Sequence, residues 1–130
     1  SETLSELDAR LEAEASRLGL DLETRQSNHE GVLIDAIQAA SDNQDALVFN
    51  AGGYTHTSVA IRDAVEVTVQ TIPIIEVHLS IPEARESFRH QSLLADVVSG
   101  RIEGFGALSY VLALRAASAL IRPRGGHRDK

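Results

Sequence analysis

Glu76, His78 and Ser80 sit two residues apart in Ile74-Ile75-Glu76-Val77-His78-Leu79-Ser80, a run rich in β-branched and apolar residues. Side chains alternate across a strand, so a strand here puts a carboxylate, an imidazole and a hydroxyl on one side and Val77 and Leu79 on the other. A carboxylate beside an imidazole holds its tautomer and tunes its proton affinity, as general acid/base chemistry requires. His78 also suits a satisfied core histidine; Glu76 and Ser80 to either side favour the acid/base role. Ile81-Pro82-Glu83 then opens a tight turn, and Ala84 to His90 reads as a short polar helix with Arg85 and Arg89 on one face. Two guanidinium groups beside that row suit an anionic, hydroxylated substrate.

A second loaded stretch is Asn50-Ala51-Gly52-Gly53-Tyr54-Thr55-His56-Thr57-Ser58, which follows the short apolar run Ala46 to Phe49. In open parallel sheets the ligand crevice lies beyond the carboxyl ends of the strands, where both stretches fall. Gly52 and Gly53 allow backbone to approach a ligand, and helices starting near Ser58 and Glu83 would offer unpaired N–H groups to an anion. Taken singly, the glycines fit turn chemistry, and Thr55, Thr57 or Ser58 fit helix capping. His56 is balanced between cap and ligand contact; His29, His90 and His127 are read as structural or surface groups. No His-x-x-x-His pair or His/Asp cluster occurs at metal-ligand spacing, there is no P-loop, and the one lysine, Lys130, lies in a polar tail where nothing would desolvate its amine. Acid/base chemistry is what remains.

Positioning these groups is the work of a chain of 130 residues, enough for one domain that buries roughly two-thirds of its unfolded surface. The 43% apolar content comes mainly from Leu, Ile, Val and Ala, and no run approaches the ~20 residues of a membrane-spanning helix. With no Cys and no signal-peptide pattern, a disulfide framework is ruled out and the cytoplasm is expected. A net charge of -7 argues against nonspecific nucleic-acid binding. With no Met, the native start is expected upstream of Ser1.

Thr3 and Glu6 form a capping box ahead of a helix over about 4–18, stopped by Gly19. Leu20, Leu22 and Thr24 alternate with Asp21, Glu23 and Arg25 as in a half-exposed edge strand. Ser27 and Glu30 repeat the capping box before a second helix through Ala40, and Ser41 to Asp45 reads as a loop. Ala46–Phe49 is a covered parallel strand, 58–67 a helix, 74–79 a strand, 101–105 a last strand and 107–121 a long closing helix. Residues 1–122 are expected to form the domain and 123–130 a disordered polar tail.

Strands alternating with helices predict an α/β fold, a doubly wound parallel sheet in three layers. In a flavodoxin-like order an edge strand pairs with a first, central strand, yet this chain opens on a helix. Either the sheet has an unusual order or that central strand has been left out upstream of Ser1, and the second is the favoured expectation.

The stretches Asn50 to Ser58, Glu76 to Ser80 and Ala84 to His90 resemble the type II 3-dehydroquinate dehydratases in order and spacing. Arg25-Gln26-Ser27-Asn28-His29-Glu30-Gly31, Gly104-Phe105-Gly106-Ala107 and Tyr110 fit the same family, so the likeness covers almost the whole chain. The resemblance implies a flavodoxin-like lyase that dehydrates 3-dehydroquinate to 3-dehydroshikimate in the shikimate pathway of aromatic amino-acid biosynthesis, with no metal or cofactor. In that family a tyrosinate takes the proton beside the ketone, an enolate forms, and a histidine protonates the departing hydroxyl. His78 matches the histidine, Glu76 its orienting partner, and Asn50 the residue that contacts substrate and holds a water at the enolate oxygen. Leu79, through its amide, and Ser80 match the carboxylate grip; His56 and Arg89 match contacts to the ring hydroxyls, with Arg85 and Gly52 beside them.

Asp63 matches an aspartate that reaches a neighbouring subunit, implying a homo-oligomer, typically a dodecamer of four trimers. The family's first strand and its lid, which carries a catalytic arginine and the tyrosine base, do not occur before Ser1, and neither Tyr54 nor Tyr110 occupies the lid motif. Ile81-Pro82-Glu83 replaces the family's Asn-led turn. The rival readings are a noncatalytic flavodoxin-like binding module and an inactive fragment of the enzyme. A signalling receiver would want a late-strand lysine that this chain lacks.

Overall fold

Thr3 caps α1 (Leu4–Arg17) as its spacing predicts: its hydroxyl accepts the Glu6 N–H at 3.1 Å while the Glu6 carboxylate accepts the Thr3 N–H at 2.8 Å. The computed structural model describes residues 2–81 and 84–121. Pro82, Glu83 and the expected tail thus lie outside the described residues. Leu11 and Ala15 of α1 pack on Val111 and Leu114 of α4 (Leu108–Leu120). Arg115 reaches back to Glu14 at 2.9 Å, and with Arg17 it holds the Glu14 carboxyl down at about 2.

Past Gly19 two expectations give way. Leu20 and Leu22 are half-buried and Asp21 and Glu23 exposed, the alternation a strand would show, yet 20–25 joins no sheet. An extended segment becomes a strand only with a neighbour to take its N–H and C=O groups, and across from it lies a cleft of about 1440 Å³, lined also by Val48 and Phe49. The second capping box does not form either. Ser27 accepts the His29 N–H, α2 (Glu30–Asn43) starts with no side-chain cap, and Glu30 instead accepts a hydrogen bond from Ser58. The tie from α2 to the start of α3 (Val59–Thr68) displaces the local cap. The helix also runs through Ser41 to Asn43, residues expected in the loop. Ser58 itself caps α3 through the Ile61 N–H at 2.9 Å.

The sheet is parallel, in the order β1 (Leu47–Phe49), β2 (Ile74–His78), β3 (Gly100–Glu103). One face carries Ile75, Val77 and Ile102 against Ala113 and Ala117 of α4; the other carries Phe49 and Ile74 against Ile37, Ile61 and Val65 of α2 and α3. This is the predicted helix–sheet–helix layering. β1 is an edge among the described residues, where a flavodoxin-like order has a central neighbour.

All five residues of β2 are buried. Full burial of Ile74, Ile75 and Val77 stabilises by about 1.5–3 kcal/mol each. Slipping the register by one residue would exchange Ile75 and Val77 with Glu76 and His78, so packing fixes which face the polar pair occupies. Beyond the sheet, the Gly104 N–H bonds the His78 carbonyl at 3.1 Å and the Gly106 N–H bonds the Leu79 carbonyl at 2.8 Å, holding the end of β2 in place. Gly104 has φ +97°, and a Cβ there would lie 2.8 Å from Ile81 Cγ1. Gly104→Ala should therefore lower stability by about 1–3 kcal/mol, read from urea unfolding midpoints.

Candidate active site

His78 and Glu76 meet at the carboxyl end of β2, with Nε2 and Oε2 2.7 Å apart. Glu76 is fully buried. Burial pushes its carboxyl up, but hydrogen bonds from His78, Thr55 and Ser92 together outweigh that and bring it below the usual value. Thr55 Oγ1 lies 2.6 Å and Ser92 Oγ 2.9 Å from the same Oε2. An ionised carboxylate only accepts, so both hydroxyls donate and His78 donates through Nε2–H. This network assigns the tautomer and leaves Nδ1, which has no protein partner among the described residues, to exchange a proton with a ligand.

Around His78 is a cavity of about 190 Å³. The loop after β1 contributes Asn50, Gly52, Gly53 and His56; the end of β2 adds Leu79 and Ser80; the following loop adds Arg85 and Arg89. The Asn50 amide is fixed at both ends: Oδ1 accepts the Gly52 N–H at 2.9 Å and Nδ2 donates to the Tyr110 hydroxyl at 3.0 Å. Gly52 takes φ +59°, which suits glycine and opens a 3₁₀ turn, Gly52–His56. His56 Nδ1 lies 2.7 Å from the Gln91 carbonyl, which only accepts, so Nδ1 carries a hydrogen and Nε2 is the acceptor. Arg89 lies over the Phe88 ring at 4.7 Å and bonds Glu86 at 3.0 Å. Among the described residues the lining thus holds two guanidinium groups and no carboxylate, a setting for a small anion although the chain as a whole is acidic.

Some placements differ from expectation. Arg85 and Arg89 do not share a helix face: Arg85 lies in a bend and Arg89 ends a 3₁₀ turn, Ser87–Arg89. Nothing apolar on this run is buried to steady a helix, since its one large apolar residue, Phe88, is 58% exposed. Both arginines still reach the cavity. Pro82 and Glu83, the expected start of a helix, lie outside the described residues. Asp63 is exposed on α3 and outside the cavity. Thr55, read as a cap, is fully buried and serves Glu76.

Sequence reasoning missed Ser92, Tyr110 as the partner of Asn50, and the pair Arg101 and Glu103. Register sets Arg101 beside Glu76 and Glu103 beside His78. The alternation Arg101-x-Glu103 was the available signal; it acquires meaning only when β3 is aligned with β2.

A family model described as dehydroquinase class II matches residues 1–118. A 3-dehydroquinate dehydratase of Desulforudis audaxviator is 50% identical over 121 residues, 93% of this chain and 79% of the relative. One from Prochlorococcus marinus is 54% identical over 117 residues, 90% and 77% of the respective chains. Among solved structures, the type II dehydroquinase of Propionibacterium acnes superposes with a TM-score of 0.85 at 39% identity, over 92% of this chain and 86% of that one. The fold is thus that of the type II dehydroquinases, as the layered parallel sheet predicts. A model match that reaches from α1 into α4, with half the residues identical across nine-tenths of the chain, makes this protein a member of the class II dehydroquinase family.

Proposed function

We propose that the protein dehydrates 3-dehydroquinate to 3-dehydroshikimate, the elimination that its family performs in the shikimate pathway. The observation that carries this reading is the Glu76–His78 dyad at the wall of a cavity lined by cations, in a chain of this family. A base removes the proton beside the ketone, the electron pair moves into an enolate, and the C–O bond then breaks as His78 gives its proton to the departing hydroxyl. Water leaves and a conjugated enone remains. Nδ1 is the atom of His78 free to give that proton, while Glu76 keeps Nε2–H in place.

Asn50, fixed by Gly52 and Tyr110, directs its remaining amide hydrogen at the developing enolate oxygen or at a water beside it. The Leu79 amide and Ser80 hydroxyl grip the substrate carboxylate, with Arg85 adding charge; His56 and Arg89 contact the ring hydroxyls, and Gly52 lets the loop backbone come close. The Tyr54 hydroxyl donates to the Asn28 carbonyl and that of Tyr110 is paired with Asn50, so neither is given the role of base.

The enzyme would work as a homo-oligomer, a dodecamer of four trimers in the family's manner. Asp63 would then serve a neighbouring subunit from an α3 surface that also exposes Val59 and Val67. No described helix is long and apolar enough to cross a membrane, and the biosynthetic pathway supports a cytoplasmic location. Mixing the full-length protein with 3-dehydroquinate should raise the ultraviolet absorbance of the enone; a flat trace at high enzyme concentration would overturn the assignment.

A further inference from the structure

We propose that Arg101 is a positioning residue for His78, acting through Glu76: a half-buried guanidinium that offsets the carboxylate and sets how tightly the imidazole holds its proton. The inference begins with the register. Parallel pairing sets Glu76 beside Arg101 and His78 beside Glu103, and side chains opposite one another project from the same face of a sheet. Four titratable groups thus form a two-by-two block in which each β2 group has an oppositely charged neighbour on β3 once His78 is protonated.

The contacts agree with that layout. Arg101 Nε lies 3.6 Å from Glu76 Oε1 and 2.9 Å from Glu103 Oε1. Neither approach has hydrogen-bond geometry: Glu76 Oε1 and Arg101 Nε and Nη2 are all buried without a hydrogen-bond partner. Meanwhile Oε2 takes all three donors, His78, Thr55 and Ser92. Arg101 therefore acts on Glu76 by charge, leaving the directional bonds to the oxygen that orients His78. A carboxylate with no cation near it, buried beside an imidazole, would bind the imidazolium tightly and make it a poor acid. With Arg101 present, the block is neutral when His78 is protonated and carries one negative charge when it is not.

Among the described residues, the other titratable groups that line the cavity with His78 are Arg85, Arg89 and His56. These stay constant when β3 is altered. Arg101→Met removes the cation but keeps an unbranched stem, leaving His78 facing two carboxylates. Glu103→Gln does the reverse, removing one of those carboxylates. The two substitutions should move His78 in opposite directions, a pattern that a loss of packing would not produce.

The test is titration of the His78 imidazole in the whole chain by NMR, which needs no substrate. It rests on the reading of His78 as the acid only for its meaning in catalysis. Arg101→Met should raise the proton affinity of His78 by about tenfold, one pH unit in the midpoint, and Glu103→Gln should lower it. Arg101→Lys should restore the parent midpoint within a factor of about two. An unchanged or lowered midpoint in Arg101→Met overturns the proposal. If that variant does not fold, an unchanged midpoint in Glu103→Gln, whose side chain is 23% exposed, overturns it instead. In dehydration assays the alkaline limb of the kcat profile, where His78 loses its proton, should move with the midpoint while KM holds. Loss of all dehydration with the NMR shifts intact would defeat the assigned reaction and leave the role of Arg101 standing.

Discussion

His78→Ala lowers the turnover of 3-dehydroquinate by roughly 10²–10⁴-fold, the usual contribution of a positioned general acid. The departing hydroxyl must then take its proton from water. In the proposed reading Leu79, Ser80, Arg85 and Arg89 hold the substrate, and the substitution leaves these cavity-lining residues in place, so KM should change far less than kcat. The fold survives: His78 is the last residue of β2, and the packing that anchors the strand comes from Ile74, Ile75 and Val77. Steady-state rates from enone absorbance, with far-ultraviolet circular dichroism as the control, decide the point. A variant that keeps full turnover would remove His78 from the acid role.

Glu76→Gln has the second large effect, because it changes what His78 donates to without much change in volume. The glutamine amide would present either a carbonyl or an NH₂ to the site now held by Oε2, where His78, Thr55 and Ser92 all donate. With the NH₂ facing His78, the imidazole must accept at Nε2 and carry its hydrogen on Nδ1, which exchanges the tautomer the site is built around. With the carbonyl there, the NH₂ faces Arg101, and the cation loses its buried counter-charge.

Turnover should fall by about a hundredfold either way, and stability by about 1–3 kcal/mol, the cost of leaving buried polar groups unpaired. The pH dependence has a definite sign. The Glu76 carboxyl sits below its ordinary value in the folded protein, so its ionised form contributes stability that is fully present above the unfolded value, about 4.3. That contribution disappears as the pH drops through the lower, folded value. The gap in unfolding free energy between parent and variant should therefore be widest near neutrality and close in acid, as urea midpoints would show. A gap that widened on acidification would mean that Glu76 is not held ionised.

Local chemistry made much of the scaffold legible before any coordinate. The Thr3–Glu6 capping box starts α1, Ser58 caps α3, and the short apolar run before Asn50 forms β1, because each signal is satisfied within a few residues of itself. The Glu76-x-His78 pairing was readable for the same reason: two residues apart on a strand guarantees a shared face. Signals that need a distant partner were less faithful. Leu20 to Arg25 has the alternation of a strand but no neighbour to bond, and Ser27 lost the Glu30 carboxylate to Ser58, 31 residues away in the chain, because α2 packs on α3.

Sequence alone determined which residue types stand at the strand ends, the family likeness they carry, and the acid/base character of the chemistry, since these depend on identity and short spacing. Tertiary structure decided who surrounds Glu76. Thr55, Ser92 and Arg101 come from three separate segments, and only the parallel register of β2 with β3 and the return of the chain past the first 3₁₀ turn bring them to one carboxylate. Directional bonds and unscreened charge act over a few ångströms in space, a distance that positions in a chain do not specify until the sheet has closed its ladder.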